Sequence, residues 1–186
     1  MGDFQESCEL ILSEVRSALA AVDPAQVEAL IEALTSVDQV FVIGVGRVML
    51  SVQAFAKRLC HLGIRAHVVG DITEPAITER DLLVVGSGSG ESVVPVAIAR
   101  VAHRHGARIA HIGSNPESTL APLTSVFVRV PVQTKLSLRG EIASQQIMSS
   151  LFEQALYLLG DAVCLTLARR RNLEPKALWR FHANLE

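Results

Sequence analysis

The sequence predicts a three-layer α/β/α sandwich on a five-stranded parallel sheet, and three observations carry that reading. Five short runs, at residues 40–43, 66–69, 82–85, 108–112 and 126–130, are bounded by Gly, Asp or Ser, and several are rich in valine and isoleucine. Runs that are apolar on both faces mark strands of a parallel sheet covered on both sides. Residues 48–62 and 92–105, lying between such runs, carry helical periodicity, as right-handed crossovers require. A third, mostly apolar helical stretch at 139–171 is too apolar for a solvated surface.

Taken in order, residues 3–21 place Phe4, Cys8, Ile11, Leu12, Val15 and Leu19 at helical spacing with acidic residues between them, an amphipathic helix. Asp23-Pro24 then sets a cap residue before a proline at the first helical position, and Val27, Leu30, Ile31 and Leu34 continue a second helix to about Ser36. The chain is therefore read as one domain, residues 1–186, with N-terminal helices at 3–36, an α/β core at 37–132 and C-terminal helices at 139–181. The 139–171 stretch is expected to be a single helix, entered by a turn near Gly140 and irregular at Gly160. Such a helix needs burial against the sheet or a second subunit, so an oligomer is expected.

Composition narrows the function classes. With 49% hydrophobic residues in 186, the chain can bury a sizeable core. A net charge of −2 gives no field to attract nucleic acid or an anionic membrane, so neither is expected as a partner. Three cysteines, Cys8, Cys60 and Cys164, form no CxxC pair and leave one over, which fits reduced thiols in a cytoplasmic protein. Asp3, Glu6 and Glu9 stand where a signal peptide needs positive charge.

The strongest local signal is Gly86-Ser87-Gly88-Ser89-Gly90-Glu91-Ser92, a small-residue loop between a buried strand and a helix start. Glycines let backbone N–H groups approach an oxyanion, Ser87, Ser89 and Ser92 add hydroxyl donors, and a helix N-terminus favours negative charge, so the loop suits a phosphate. The alternative is a flexible serine-glycine turn with no ligand. Gly44-Val45-Gly46-Arg47 is a second loop of this kind, but Met49 stands where the third glycine of a dinucleotide fingerprint belongs. Arg47 either points its guanidinium at a substrate oxygen or is a solvated helix-start residue. Lys135, after the last strand, either touches substrate or faces water.

These loops belong to a wider pattern. Gly44-Val45-Gly46-Arg47, Ala54-Phe55-Ala56-Lys57-Arg58-Leu59, the serine loop, Ser114-Asn115-Pro116, Phe152-Glu153-Gln154 and the closing Arg180-Phe181-His182-Ala183-Asn184-Leu185-Glu186 resemble the sugar isomerase (SIS) domain family, most of all its 6-phospho-3-hexuloisomerase branch. The resemblance implies a flavodoxin-like sheet and a homotetramer or dimer with sites between subunits. It also implies interconversion of arabino-3-hexulose 6-phosphate and fructose 6-phosphate without a cofactor. The chain departs from the pattern at Val48-Met49, where a serine usually follows the arginine, and at residues 145–150, which lack the usual proline.

Moving a carbonyl between C3 and C2 requires a base to pass a proton through a 2,3-enediolate. Glu153 is the candidate base, matching the family's position and set among Leu151, Phe152, Ala155 and Leu156, where desolvation is expected to raise its pKa. His182 is the second candidate, a proton carrier between O2 and O3 that reaches a neighbouring subunit's site; the alternative is a tail histidine that packs. Gly46, Arg47, Ser87, Gly88, Ser89, Gly90 and Ser92 are the expected substrate and phosphate contacts. A 3-ketose 6-phosphate is open-chain, because its five-membered ring would close through the phosphorylated O6. His182 is thus expected to matter more from the fructose 6-phosphate side. His61, His67 and His111 are read as structural, no metal-ligand spacing appears, and Glu91 is read as a charge supporting its helix start. Two rival readings stay open: a sugar-phosphate sensor without turnover, and an isomerase for another sugar phosphate.

Overall fold

The computed structural model describes residues 2–185; Glu186, which closes the tail motif, lies outside them. Two helices come first, α1 (Asp3–Ala20) and α2 (Pro24–Thr35), with the Asp23 carboxylate accepting the Ala25 N–H at 2.8 Å as the expected cap. Alternation then follows: β1 (Val40–Ile43), α3 (Arg47–His61), β2 (Ala66–Val68), β3 (Leu82–Gly86), α4 (Val93–Arg104), β4 (Arg108–Gly113), β5 (Val126–Arg129) and α5 (Ser150–Arg170). The short α6 (Pro175–Leu178) and a 3-10 turn lead into the tail.

All five strands pair in parallel in the order β2-β1-β3-β4-β5. The period-2 alternation of a strand divides their side chains between two layers. Val40, Val42, Leu82 and Val84 pack toward α1, α2, α3 and α5, whereas Phe41, Ile43, Leu83 and Val85 pack toward α4. The second layer is thin, because residues 69–81 cross from β2 to β3 without a helix and only a 3-10 turn (Ala121–Leu123) separates β4 from β5. The order in which strands are added reverses between β1 and β3, and the crevice outside the carboxyl ends of those parallel strands is where sheets of this order bind ligands.

One expected helix is two different things. Residues 139–149 are not helical: Ile142 bridges Val132 in parallel, its N–H going to Pro131 O and its carbonyl to Gln133 N, both at 2.8 Å. These lateral bonds take the groups a helix would use, and Gly140 (φ +82°) and Met148 (φ +54°) adopt left-handed backbone. Gly160, in contrast, is regular helix. A Cβ there would lie 3.0 Å from the Phe55 ring, so the glycine marks close approach of α3 and α5. Among the described residues α5 alone has the length and hydropathy to cross a membrane, yet Leu151, Phe152, Ala155, Leu156, Leu159 and Val163 are buried in the core.

Candidate active site

The carboxyl ends of β1 and β3 carry the two glycine loops side by side. Gly46 takes φ +58° as the chain turns into α3, and a Cβ on Gly44 would meet the Met49 backbone at 3.1 Å. Glycine at both positions lets α3 start immediately after β1.

The serine loop is rigid rather than flexible. Ser87 and Ser89 are buried; the Ser87 hydroxyl accepts the Gly90 N–H at 3.1 Å and the Ser89 hydroxyl accepts the Glu91 N–H at 3.3 Å. Each hydroxyl proton therefore remains for an acceptor in the cavity. Below the loop, Gly88 O accepts the Ser114 and Asn115 amides, and the Asn115 side-chain amide donates to Ser89 O. His111 is entirely buried and its Nε2 lies 2.8 Å from Ser87 O. Burial lowers its pKa to about 4, so the ring is neutral and Nε2–H donates to that carbonyl. Gly90 (φ +67°) fits because a Cβ would overlap Ser118 at 2.3 Å. Ser92 begins α4 without using its side chain as a cap. Glu91 departs from expectation: its carboxylate binds the Thr119 N–H and hydroxyl, across the turn after β4, rather than the start of α4. Those bonds, chiefly the hydroxyl, hold its pKa low.

From the other wall, α5 presents Glu153, whose backbone carbonyl accepts the Ser51 hydroxyl of α3 at 2.9 Å. Its carboxylate is 15% exposed, and Oε2 lies 2.8 Å from Arg47 Nε, on a side chain 64% exposed. The contact is an ion pair by distance without the angle of a hydrogen bond; Oε2 is buried and accepts none from the described residues. This corrects the apolar setting expected for Glu153. Leu151, Phe152, Ala155 and Leu156 turn into the core, and the carboxylate's nearest charged neighbour is a guanidinium.

A cavity of about 220 Å³ joins the walls and is lined by Gly46, Arg47, Ser87, Gly88, Ser89, Ser92 and Glu153. Gly90 shapes the loop from beneath. The same cavity is lined by Lys135, Thr134 and Ser149; sequence reading left Lys135 open and missed the other two, which lie on segments without a motif. An adjoining cavity of about 310 Å³ shares Arg47 and Glu153 and opens between the exposed Leu50, Tyr157 and Leu158. No group of three His, Cys, Asp or Glu suited to a metal occurs among the described residues.

His182 stands elsewhere. Its ring stacks on His61 at 5.3 Å and meets Trp179 at 4.9 Å in a tilted contact, and Nδ1 lies 2.8 Å from Ala183 O. His61 ends the 15-residue α3 that Arg47 begins, so His182 lies about 20 Å from Arg47 along that helix axis, at the opposite edge of the sheet. Within one chain the two candidates for proton transfer are not brought together.

A sheet of order 2-1-3-4-5 with paired glycine loops at its switch point defines a doubly wound α/β protein with its ligand site at the strand carboxyl ends. Comparison with known proteins makes the assignment specific: the chain belongs to the SIS domain family, whose model matches residues 33–157. That span holds both loops and Glu153 and stops short of His182. A protein of Mycobacterium gastri named 3-hexulose-6-phosphate isomerase is 41% identical over 184 residues, covering 99% of this chain and 92% of that one. Its namesake in Bacillus subtilis is 36% identical over 176 residues, covering 95% of each. A solved Methanococcus jannaschii structure, from which a 3-hexulose-6-phosphate isomerase function was inferred, superposes with a TM-score of 0.83 at 24% identity, covering 97% of this chain and 99% of that one; it shows the shared fold.

Proposed function

We propose that this protein is a ketose phosphate isomerase that interconverts arabino-3-hexulose 6-phosphate and fructose 6-phosphate through a 2,3-enediolate. One observation carries the reading: a hydroxyl-rich loop suited to a phosphate and a buried carboxylate paired with a guanidinium share one cavity. The 41% identity to the Mycobacterium gastri isomerase supports the substrate.

Ser87, Ser89, Ser92 and the glycine amides hold the phosphate, fixing the sugar carbons toward Glu153. From the 3-ketose, Glu153 removes the C2 proton and electron density moves to O3. The proton then returns at C3 as O2 becomes the carbonyl, while one proton passes from O2 to O3. Arg47 faces the developing oxyanion, which a fixed cation stabilises more than the neutral substrate. The O2-to-O3 transfer is assigned to His182 of a second copy, since the chain's own His182 lies at the far edge. Exposed Leu50, Tyr157 and Leu158 around the adjoining cavity support a dimer or tetramer there.

The test is incubation with fructose 6-phosphate, following sugar carbons by NMR. Appearance of a 3-ketose 6-phosphate supports the reading, and mixing inactive Glu153→Gln and His182→Ala proteins is expected to restore turnover through hybrid sites. Thermal stabilisation by the sugar without turnover would establish a sensor instead, and turnover of a pentose phosphate alone a different isomerase.

A further inference from the structure

We propose that Lys135 is a further substrate-binding residue, the cation that meets the phosphate, and that Glu141 is the residue that positions it. The inference rests on the isomerase reading above and adds to the serine loop a charge that the loop lacks. A sugar phosphate is a dianion near neutral pH. The serine hydroxyls and amides are neutral donors, and of the two cationic side chains lining the cavity, Arg47 is drawn to Glu153. Lys135 is the other. Its side chain is exposed on the cavity wall, and its ammonium has no hydrogen bond or ion pair with the described residues.

The turn that carries it is built to hold still. Glu141 accepts the Thr134 N–H at 3.2 Å, the Thr134 hydroxyl at 3.2 Å and the Leu138 N–H at 2.8 Å. Ser137 N–H closes the turn onto Thr134 O at 3.1 Å, with Ser137 itself at φ +49°. Thr134 is buried, and its methyl faces Gly88 so closely that a Cβ there would stand 3.0 Å away. One carboxylate thus fixes the residue before Lys135, and that residue packs against the serine loop. The nearby anion that would repel a phosphate, Glu91, has both oxygens turned to Thr119, and Lys135 acts on its titration from across the gap. Lysine suits the place, since it meets a phosphate as a compact point charge without needing a planar fork.

The experiment compares KM, kcat and inorganic phosphate affinity in wild type, Lys135→Gln, Lys135→Arg, Glu141→Ala and the double variant Lys135→Gln/Glu141→Ala. Loss of one charged hydrogen bond predicts KM for fructose 6-phosphate raised about tenfold or more in Lys135→Gln, with phosphate binding weakened alike. Its kcat should stay within about threefold, because Glu153 and Arg47 are untouched. Lys135→Arg restores most of the affinity. Glu141→Ala raises KM in the same direction by less, and the double variant matches Lys135→Gln alone, which a merely structural Glu141 would not do. Wild-type KM and phosphate affinity in Lys135→Gln, or full additivity in the double variant, overturns the assignment. If wild type itself neither binds nor turns over the sugar phosphate, the isomerase reading falls, and this one with it.

Discussion

Ser87 shows how one position serves both fold and chemistry. Its hydroxyl accepts from Gly90 and keeps its proton, and its carbonyl accepts a hydrogen bond from His111 Nε2–H. Complete burial keeps the histidine neutral, its pKa lowered from 6.5 to about 4. The unfolded chain binds that proton below about pH 6.5 and the folded one only near pH 4, so its contribution to stability is full above 6.5 and lost as pH falls through that window. Urea unfolding between about pH 7.5 and pH 5 should show a loss on the order of 2 kcal/mol from this site, with a flatter dependence in His111→Gln. The serine loop was legible because its residues are consecutive. Thr134, Ser149 and the placement of Lys135 were not, because only the folded chain brings the segment after β5 over the loop after β3. His182 suffered the same limit: a tail motif names a residue type but not the edge of the sheet to which it returns. The directional role expected of it also needs restating. The equilibrium constant ties kcat/KM in the two directions together, so any asymmetry in His182→Ala must appear in kcat and KM separately.

Among the elements, the strands and α2, α3 and α4 were readable because apolar periodicity and the turn residues that bound it agree, with a side-chain cap at α2. Residues 139–149 differ from the expected helix because they are mostly polar, only Ile142, Ala143, Ile147 and Met148 being apolar, and the apolar helix character belongs to the residues after them; the backbone there bonds sideways to the segment after β5. That irregular stretch brings Ser149 to the cavity and Glu141 onto Thr134 beside it, so the segment helps to build the candidate site. The turn into α4 tolerates little change. Gly90→Ala combines left-handed backbone with a 2.3 Å overlap on Ser118, and should cost about 2 kcal/mol or more of stability. Thermal melts check this, and a sugar-phosphate-induced shift that shrinks with it locates the damage at the loop.

For the whole molecule, the two edges of the sheet divide the chemistry. The carboxyl edge gathers the phosphate loop, Arg47 and Glu153, while the opposite edge carries His182 stacked on His61. A single chain therefore holds both ends of the proposed proton path without joining them, and the apolar side chains exposed around the cavities, Tyr157 and Leu158 among them, give a second copy a place to complete it. That an oligomer was expected from the apolar character of α5 follows from composition; which copy completes which site does not, since sequence carries no record of relative orientation between chains.

The central claim is that Glu153 passes a proton between C2 and C3 of a bound ketose phosphate. It is tested most directly by incubating the protein with fructose 6-phosphate in deuterated water and following the sugar's carbon-bound protons by NMR, beside Glu153→Gln. The account predicts loss of the C3 proton signal with wild type, slowed by about 10²-fold or more in the variant. An unchanged C3 signal while the sugar stabilises the fold, or exchange at C1 in its place, would contradict it.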